Sequence, residues 1–122
     1  MTSASLRGKV VVVEFFAQYC KPCWKALPEV ARLAAGDPGL VVVGFGEDEL
    51  ASDTRAMAEQ LRLPFPVVHD AGNAIAGQFR VRQIPATLLV DEAGVIRWQA
   101  RANDGVKELR RAIEAVRRGG PQ

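Results

Sequence analysis

The feature that most constrains the fold is a pair of unbroken β-branched runs, Lys9–Phe16 (KVVVVEFF) and Leu40–Phe45 (LVVVGF), separated by a helical pattern. Neither run alternates apolar with polar residues, and each is too short for a helix. Runs of this kind are strands covered on both faces, as in a parallel sheet flanked by helices. Between them, Lys21–Ala35 carries Ala26, Leu27, Val30, Ala31 and Leu33 as its apolar positions, and Gly36-Asp37-Pro38-Gly39 stops the helix.

The pattern continues. Leu50–Leu63 is predicted as a second helix, with Ser52 or Asp53 as its N-cap and Pro64 as its breaker. Pro66–His69 is a short strand and Asn73–Phe79 a short helix. Ala86–Val90 is a strand, Asp91-Glu92-Ala93-Gly94 a hairpin turn and Val95–Ala100 the antiparallel partner. A last helix runs from about Asp104 to Arg118, with Val106, Leu109, Ile113 and Val116 on one face and Gly119-Gly120 at its end. The order β-α-β-α-β-α-β-β-α predicts an α/β fold, a mixed central β-sheet with helices on both faces in three α/β/α layers. The chain has no repeat, linker or low-complexity segment. Residues 1–122 therefore read as a single domain, and residues 1–8 as an N-terminal stub, either a trimmed start or a natural short form.

Composition narrows the function. A chain of 122 residues is long enough for one core without staples. The net charge is only +2, and no stretch interleaves basic with aromatic residues, so nucleic acid is not a suggested partner. Arg110, Arg111, Arg117 and Arg118 read as a solvated helix end that complements the helix dipole. No apolar run reaches the length of a membrane span, and no signal-peptide pattern opens the chain as given. Two cysteines exclude a disulfide-rich scaffold.

Those cysteines carry the chemistry. Cys20-Lys21-Pro22-Cys23 stands where the first strand ends and the first helix begins. Thiols three residues apart in a first helical turn close a disulfide with little backbone movement. Free N–H groups and the helix dipole favour a thiolate at Cys20, and Lys21 adds a charge of the same sense. Pro22 lacks an N–H and fixes φ, which suits a helix start. Cys20 is accordingly expected to be the exposed nucleophile, and Cys23, one turn on, the buried resolving thiol. A static bridge closing so small a ring constrains almost nothing in the unfolded chain, so stability alone gives little reason for it. A metal centre wants about four ligands, and two cysteines and one histidine do not supply them. No cofactor is expected beyond the Cys20–Cys23 redox disulfide.

At this point the residues resemble a known family. Val13-Glu14-Phe15-Phe16-Ala17-Gln18-Tyr19-Cys20-Lys21-Pro22-Cys23 resembles the thioredoxin active-site segment, with Tyr19 at the usual tryptophan. Ile84-Pro85-Ala86-Thr87-Leu88-Leu89-Val90-Asp91 resembles that family's cis-proline strand, with Gly94 in the turn after it, and Pro28 matches the proline that bends the active-site helix. The likeness runs from about Lys9 to Arg118. Leu6-Arg7-Gly8-Lys9 and the additional helix and strand between Leu50 and His69 look like the TlpA-like branch, which handles disulfides in bacterial envelopes.

The resemblance implies a thioredoxin-like fold and a monomeric thiol–disulfide oxidoreductase, acting outside the cytoplasm. Its partners would be protein thiols and disulfides with an upstream reductase or oxidase. It also implies a cis Ile84–Pro85 bond that leaves the Ile84 backbone free to pair with an extended substrate, while Pro85 keeps metals off the cysteines. Two departures stand out: Ala26 replaces the glutamate common in cytochrome-maturation members, and Trp24 replaces a basic residue.

Single residues add detail. Glu14, six residues before Cys20, matches the buried aspartate of thioredoxin. Burial would raise its pKa and let it take the Cys23 proton; the alternative is a strand-edge glutamate facing water. Tyr19 and Trp24 flank the cysteines, either as an apolar rim for protein substrates or as packing. His69 reads as a satisfied strand-end histidine. Gly44-Phe45-Gly46 lacks the third glycine of a dinucleotide loop, and Glu47-Asp48-Glu49 reads as a solvated loop, the alternative being an acidic run that faces a partner. Two other activities suit such a fold. A peroxiredoxin-like peroxidase wants a threonine where Ala17 stands, and a copper-binding module wants wider cysteine spacing with a histidine aimed at the pair.

Overall fold

The structure is a computed structural model that describes residues 10–101 and 104–119. The first strand, β1 (Val11–Phe16), leads into α1 (Lys21–Ala35), which returns the chain to β2 (Val41–Gly46). Next come α2 (Ala51–Leu61), β3 (Val67–His69), a 3-10 turn at Ala71–Asn73 and α3 (Ala74–Gln78). The hairpin β4 (Ala86–Val90) and β5 (Ile96–Gln99) is followed by α4 (Val106–Arg117). The five strands lie in the order β3-β2-β1-β4-β5. Pairings β1–β2 and β2–β3 are parallel, whereas β1–β4 and β4–β5 are antiparallel.

Two crossovers of one hand that step the same way, β1 to β2 to β3, put both of their helices on one face of the sheet. Met57 of α2 accordingly shares a core with Cys23, Leu27 and Val30 of α1, and Leu109, Ala112 and Ile113 of α4 close it. The smaller core on the other face gathers Val11, Val13, Phe15, Val43 and Leu88 around Ala76 of α3. Strand β1 is central and buried along its whole length, which is why its sequence does not alternate. Phe15 adds ring contacts to Phe45 and Phe79, with centroids 5.4 and 5.9 Å away.

Three expectations need correction. The α2 N-cap is Leu50, in extended conformation and without a side-chain bond, so neither Ser52 nor Asp53 caps that helix. Here the turn is closed by the backbone, with Asp53 N–H donating to Leu50 O at 3.1 Å. The Glu47-Asp48-Glu49 segment is not a solvated loop. Glu47 and Asp48 are buried, and only Glu49 is exposed, because the β1–α1 loop and α2 close over the end of β2. Finally, α3 starts after Asn73, since Gly72 and Asn73 hold left-handed backbone (φ 66° and 58°). Asp70 then accepts the N–H groups of Ile75 and Ala76, both at 2.9 Å.

The Leu6-Arg7-Gly8-Lys9 segment and Gly120 lie outside the described residues. Arg117 forms a paired ion contact with Asp37 (2.7 and 3.3 Å), tying the end of α4 to the turn after α1. Among the described residues, no helix is long and apolar enough to cross a membrane.

Candidate active site

The end of β1 and the start of α1 build the site. Cys20 is the N-cap of α1 in extended conformation (φ −88°, ψ 103°), and Pro22 lies in the first turn, where its missing N–H costs nothing. The Cys20 N–H donates to Ala17 O and the Cys23 N–H to Cys20 O, each at 3.1 Å. Cys20 and Cys23 are joined in a disulfide, with Cα atoms 5.3 Å apart. Cys23 is wholly buried. Cys20 is only 7% exposed in this oxidised form, so it is less open than its place in the sequence suggests. The reason is tertiary: Cys20 belongs to the main core cluster.

The loop before Cys20 is braced from both sides. Gln18 donates its N–H to Asp48 Oδ1 at 2.8 Å and accepts the Trp24 indole N–H at 2.8 Å. Thr54 Oγ1 donates to the second oxygen of Asp48 at 2.8 Å, and His69 Nε2 lies 2.7 Å from the Asp48 carbonyl oxygen. His69 is thus satisfied at its strand end. Trp24 is a strut of this loop and packs partly on the core, whereas Tyr19 stands 70% exposed beside it.

Register brings the second half of the site in. Phe15 pairs with Ala86 and Glu14 with Thr87, so the residues before β4 stand beside the end of β1. The Ile84–Pro85 peptide is cis. Ile84, Pro85 and Pro22 line one open groove of about 700 Å³, which Thr87 and Trp98 also border. Tyr19 and Trp24 do not line it.

Glu14 is wholly buried. Strand alternation puts it on the face of Val12 and Phe16, and those residues share a cluster with Cys23. Thr87 Oγ1 donates to Glu14 Oε1 at 2.6 Å, while Oε2 has no partner. Burial pushes the Glu14 carboxyl up to about 8, against the opposing pull of the Thr87 hydrogen bond. A second acid was read in the sequence only as part of a solvated loop. Glu47 is buried, and burial first, then a side-chain hydrogen bond with Asp70 and the charges of Asp70 and Asp48, push it to about 8 as well. The roles of Thr87, Asp48 and Thr54 also escaped the sequence reading, since only strand register and loop packing reveal their partners. Among the described residues, no three histidine, cysteine or acidic side chains converge as a metal centre.

A mixed sheet in this order, with a disulfide across the first turn of the helix after its central strand, defines a thioredoxin-like protein. The pattern of the AhpC/TSA family matches residues 1–99, and the chain belongs to that family. It is similar to the thiol-disulfide oxidoreductase ResA of Bacillus cereus (strain ZK / E33L), 31% identical over 93 residues, or 75% of this chain and 54% of that one. The thioredoxin-like protein YneN of Bacillus subtilis (strain 168) is 34% identical over 94 residues, covering 74% and 55%. The chain thus spans about half the length of these curated relatives. Among solved structures, MTB dsbF in its mixed oxidized and reduced forms superposes with a TM-score of 0.82 at 28% identity, covering 91% and 83%. StoA from Bacillus subtilis shares the fold at 19% identity, with a TM-score of 0.76 over 88% and 84%.

Proposed function

We propose that this protein is a thiol–disulfide oxidoreductase that exchanges electrons with protein disulfides, Cys20 attacking and Cys23 resolving. The observation that carries the reading is the Cys20–Cys23 disulfide across the first turn of α1, at the end of the central strand and next to an open groove. In the reducing direction the Cys20 thiolate attacks one sulfur of a substrate disulfide and expels the other as a thiol. The Cys23 thiolate then attacks the Cys20 sulfur and releases the second substrate thiol. Two electrons pass to the substrate and the Cys20–Cys23 bond re-forms. Reversal of the same steps oxidises a substrate dithiol.

Glu14 is the proposed proton acceptor for Cys23. Its unpartnered Oε2 and a pKa of about 8 keep a proton exchangeable near neutrality. Ile84 and Pro85 are the proposed substrate contacts, with the Ile84 main chain adding a strand to an extended substrate. Tyr19, largely exposed beside the pair, extends that contact on the other flank, and Trp24 holds the loop between them. We place the activity outside the cytoplasm, where disulfides persist, and infer a monomer served by an upstream reductase or oxidase. The peroxidase alternative gains nothing from the site, since Ala17 is a buried methyl group without a hydroxyl to hold a peroxide.

The test is turnover. The wild-type protein should accelerate reduction of a protein disulfide such as insulin by dithiothreitol, and Cys20→Ser should abolish the acceleration. A wild-type rate equal to that of dithiothreitol alone would remove the proposal.

A further inference from the structure

We propose that the groove beside the disulfide selects acidic substrate segments, through Arg80, Arg82 and Arg101 around it. The inference rests on the exchange reaction proposed above and specifies its substrate class. All three arginines line the groove that Pro22, Ile84 and Pro85 also line, and all three are exposed. None has an ion-pair partner among the described residues, where the arginine pairs run Arg97–Asp91, Arg117–Asp37 and Arg118–Glu114. Two carboxylates border the same groove, Glu29 and Asp104, and Asp104 Oδ2 already accepts the Arg101 N–H at 2.7 Å. Three arginines without an ion-pair partner among the described residues thus border the groove against two carboxylates, which leaves its lining net positive.

Their backbone is held in place. Arg80 donates its N–H to Gly77 O at 3.1 Å and Val81 to Ala76 O at 2.8 Å, the two bonds of a Schellman turn at the end of α3. Asp104 holds Arg101 as described. These bonds set where the Arg80 and Arg101 side chains leave the main chain, and guanidinium suits a carboxylate in two-point contact. The lining is apolar at Ile84, Pro85, Trp98 and Leu109, which meet main chain and side-chain carbon without regard to charge. Discrimination falls to the rim. A segment with aspartate or glutamate beside its cysteine is drawn in, and one flanked by lysine is repelled. The occupant is thus an extended protein segment carrying acidic residues next to the reacting cysteine.

The test uses three short peptides that differ only in the residues flanking one cysteine: aspartate and glutamate, serine and glutamine, or lysine. Each cysteine is held as a mixed disulfide with thionitrobenzoate. The reduced protein attacks that disulfide through Cys20, Cys23 then closes the Cys20–Cys23 bond, and one peptide thiol and one coloured thionitrobenzoate leave per protein oxidised. At low ionic strength the acidic peptide should react about tenfold faster than the lysine peptide, with the neutral peptide between them. Salt at about 0.5 M should compress that ratio toward one. In the Arg80→Gln, Arg82→Gln, Arg101→Gln variant the ratio should be near one at low salt, and the corresponding lysine variant should restore it. Equal wild-type rates for acidic and lysine peptides, or a ratio unchanged in the glutamine variant, would overturn the proposal while leaving exchange itself intact. No reaction with any of the three peptides would overturn the exchange reading and this proposal together.

Discussion

Glu14 and Glu47 show how two carboxyl groups of one chain come to hold their protons at neutral pH. Each is buried, and each has at least one oxygen without a donor. Folding raises both from the ordinary 4.5 to about 8. Below 4.5 both states of the chain are protonated and the ionisation penalty is absent. Between 4.5 and 8 the folded state binds more protons than the unfolded one, so stability falls as pH rises, and above 8 the whole penalty is present. For Glu14 the penalty is on the order of 3 kcal/mol at pH 7 and 5 kcal/mol above pH 8. Glu14→Gln should therefore flatten the decline in stability, measured by urea unfolding from pH 5 to pH 9. The same variant should slow resolution of the mixed disulfide more than its formation, and lose the rise of that rate with pH. A wild-type pH–rate profile in Glu14→Gln would remove its proton-acceptor role. Glu14 was legible in the sequence because one charge interrupts an apolar strand. Glu47 was not, because burial of a loop residue depends on what folds over it.

Among the elements, the fit of α2 onto β2 is the most exacting. Gly46 faces Thr54, and a methyl group at that position would run into the Thr54 side chain. Thr54 has little room to give way: it is buried, β-branched and donating to Asp48. A methyl group added at Gly44 would meet less resistance, coming within 3.0 Å of a Phe16 ring carbon and 3.1 Å of one of Phe65. Those glycines, which faintly suggested a nucleotide loop, make room for a helix and two rings. Gly46→Ala should destabilise the protein by about 1–3 kcal/mol, read as a lower urea midpoint. An unchanged midpoint would mean that α2 can lift without cost. The existence and type of the elements were legible from apolar runs and helical spacing, and α1 and β4 have the expected bounds. The α2 cap was misread because a suitable cap residue in sequence does not compete with a turn that the backbone closes by itself.

At the scale of the molecule, the sheet order decides where chemistry happens. Central β1 has β2 on one side and antiparallel β4 on the other, so its end meets both the Asp48 brace and the Ile84–Pro85 groove wall. The strand–helix placement of the cysteines marked the bonded pair in the sequence, and the resemblance supplied the cis proline. The Asp48–Gln18 brace stayed hidden, since it joins residues 30 apart through a loop that reads as polar.

The central claim is that Cys20 attacks and Cys23 resolves, and trapping tests it most directly. Reduced Cys23→Ser and Cys20→Ser variants would each be mixed with a disulfide-bonded protein substrate, quenched with acid and analysed for covalent adducts by mass spectrometry. The account predicts abundant mixed disulfide through Cys20 in Cys23→Ser and little through Cys23 in Cys20→Ser, because Cys23 is wholly buried. Equal trapping by the two variants would contradict it.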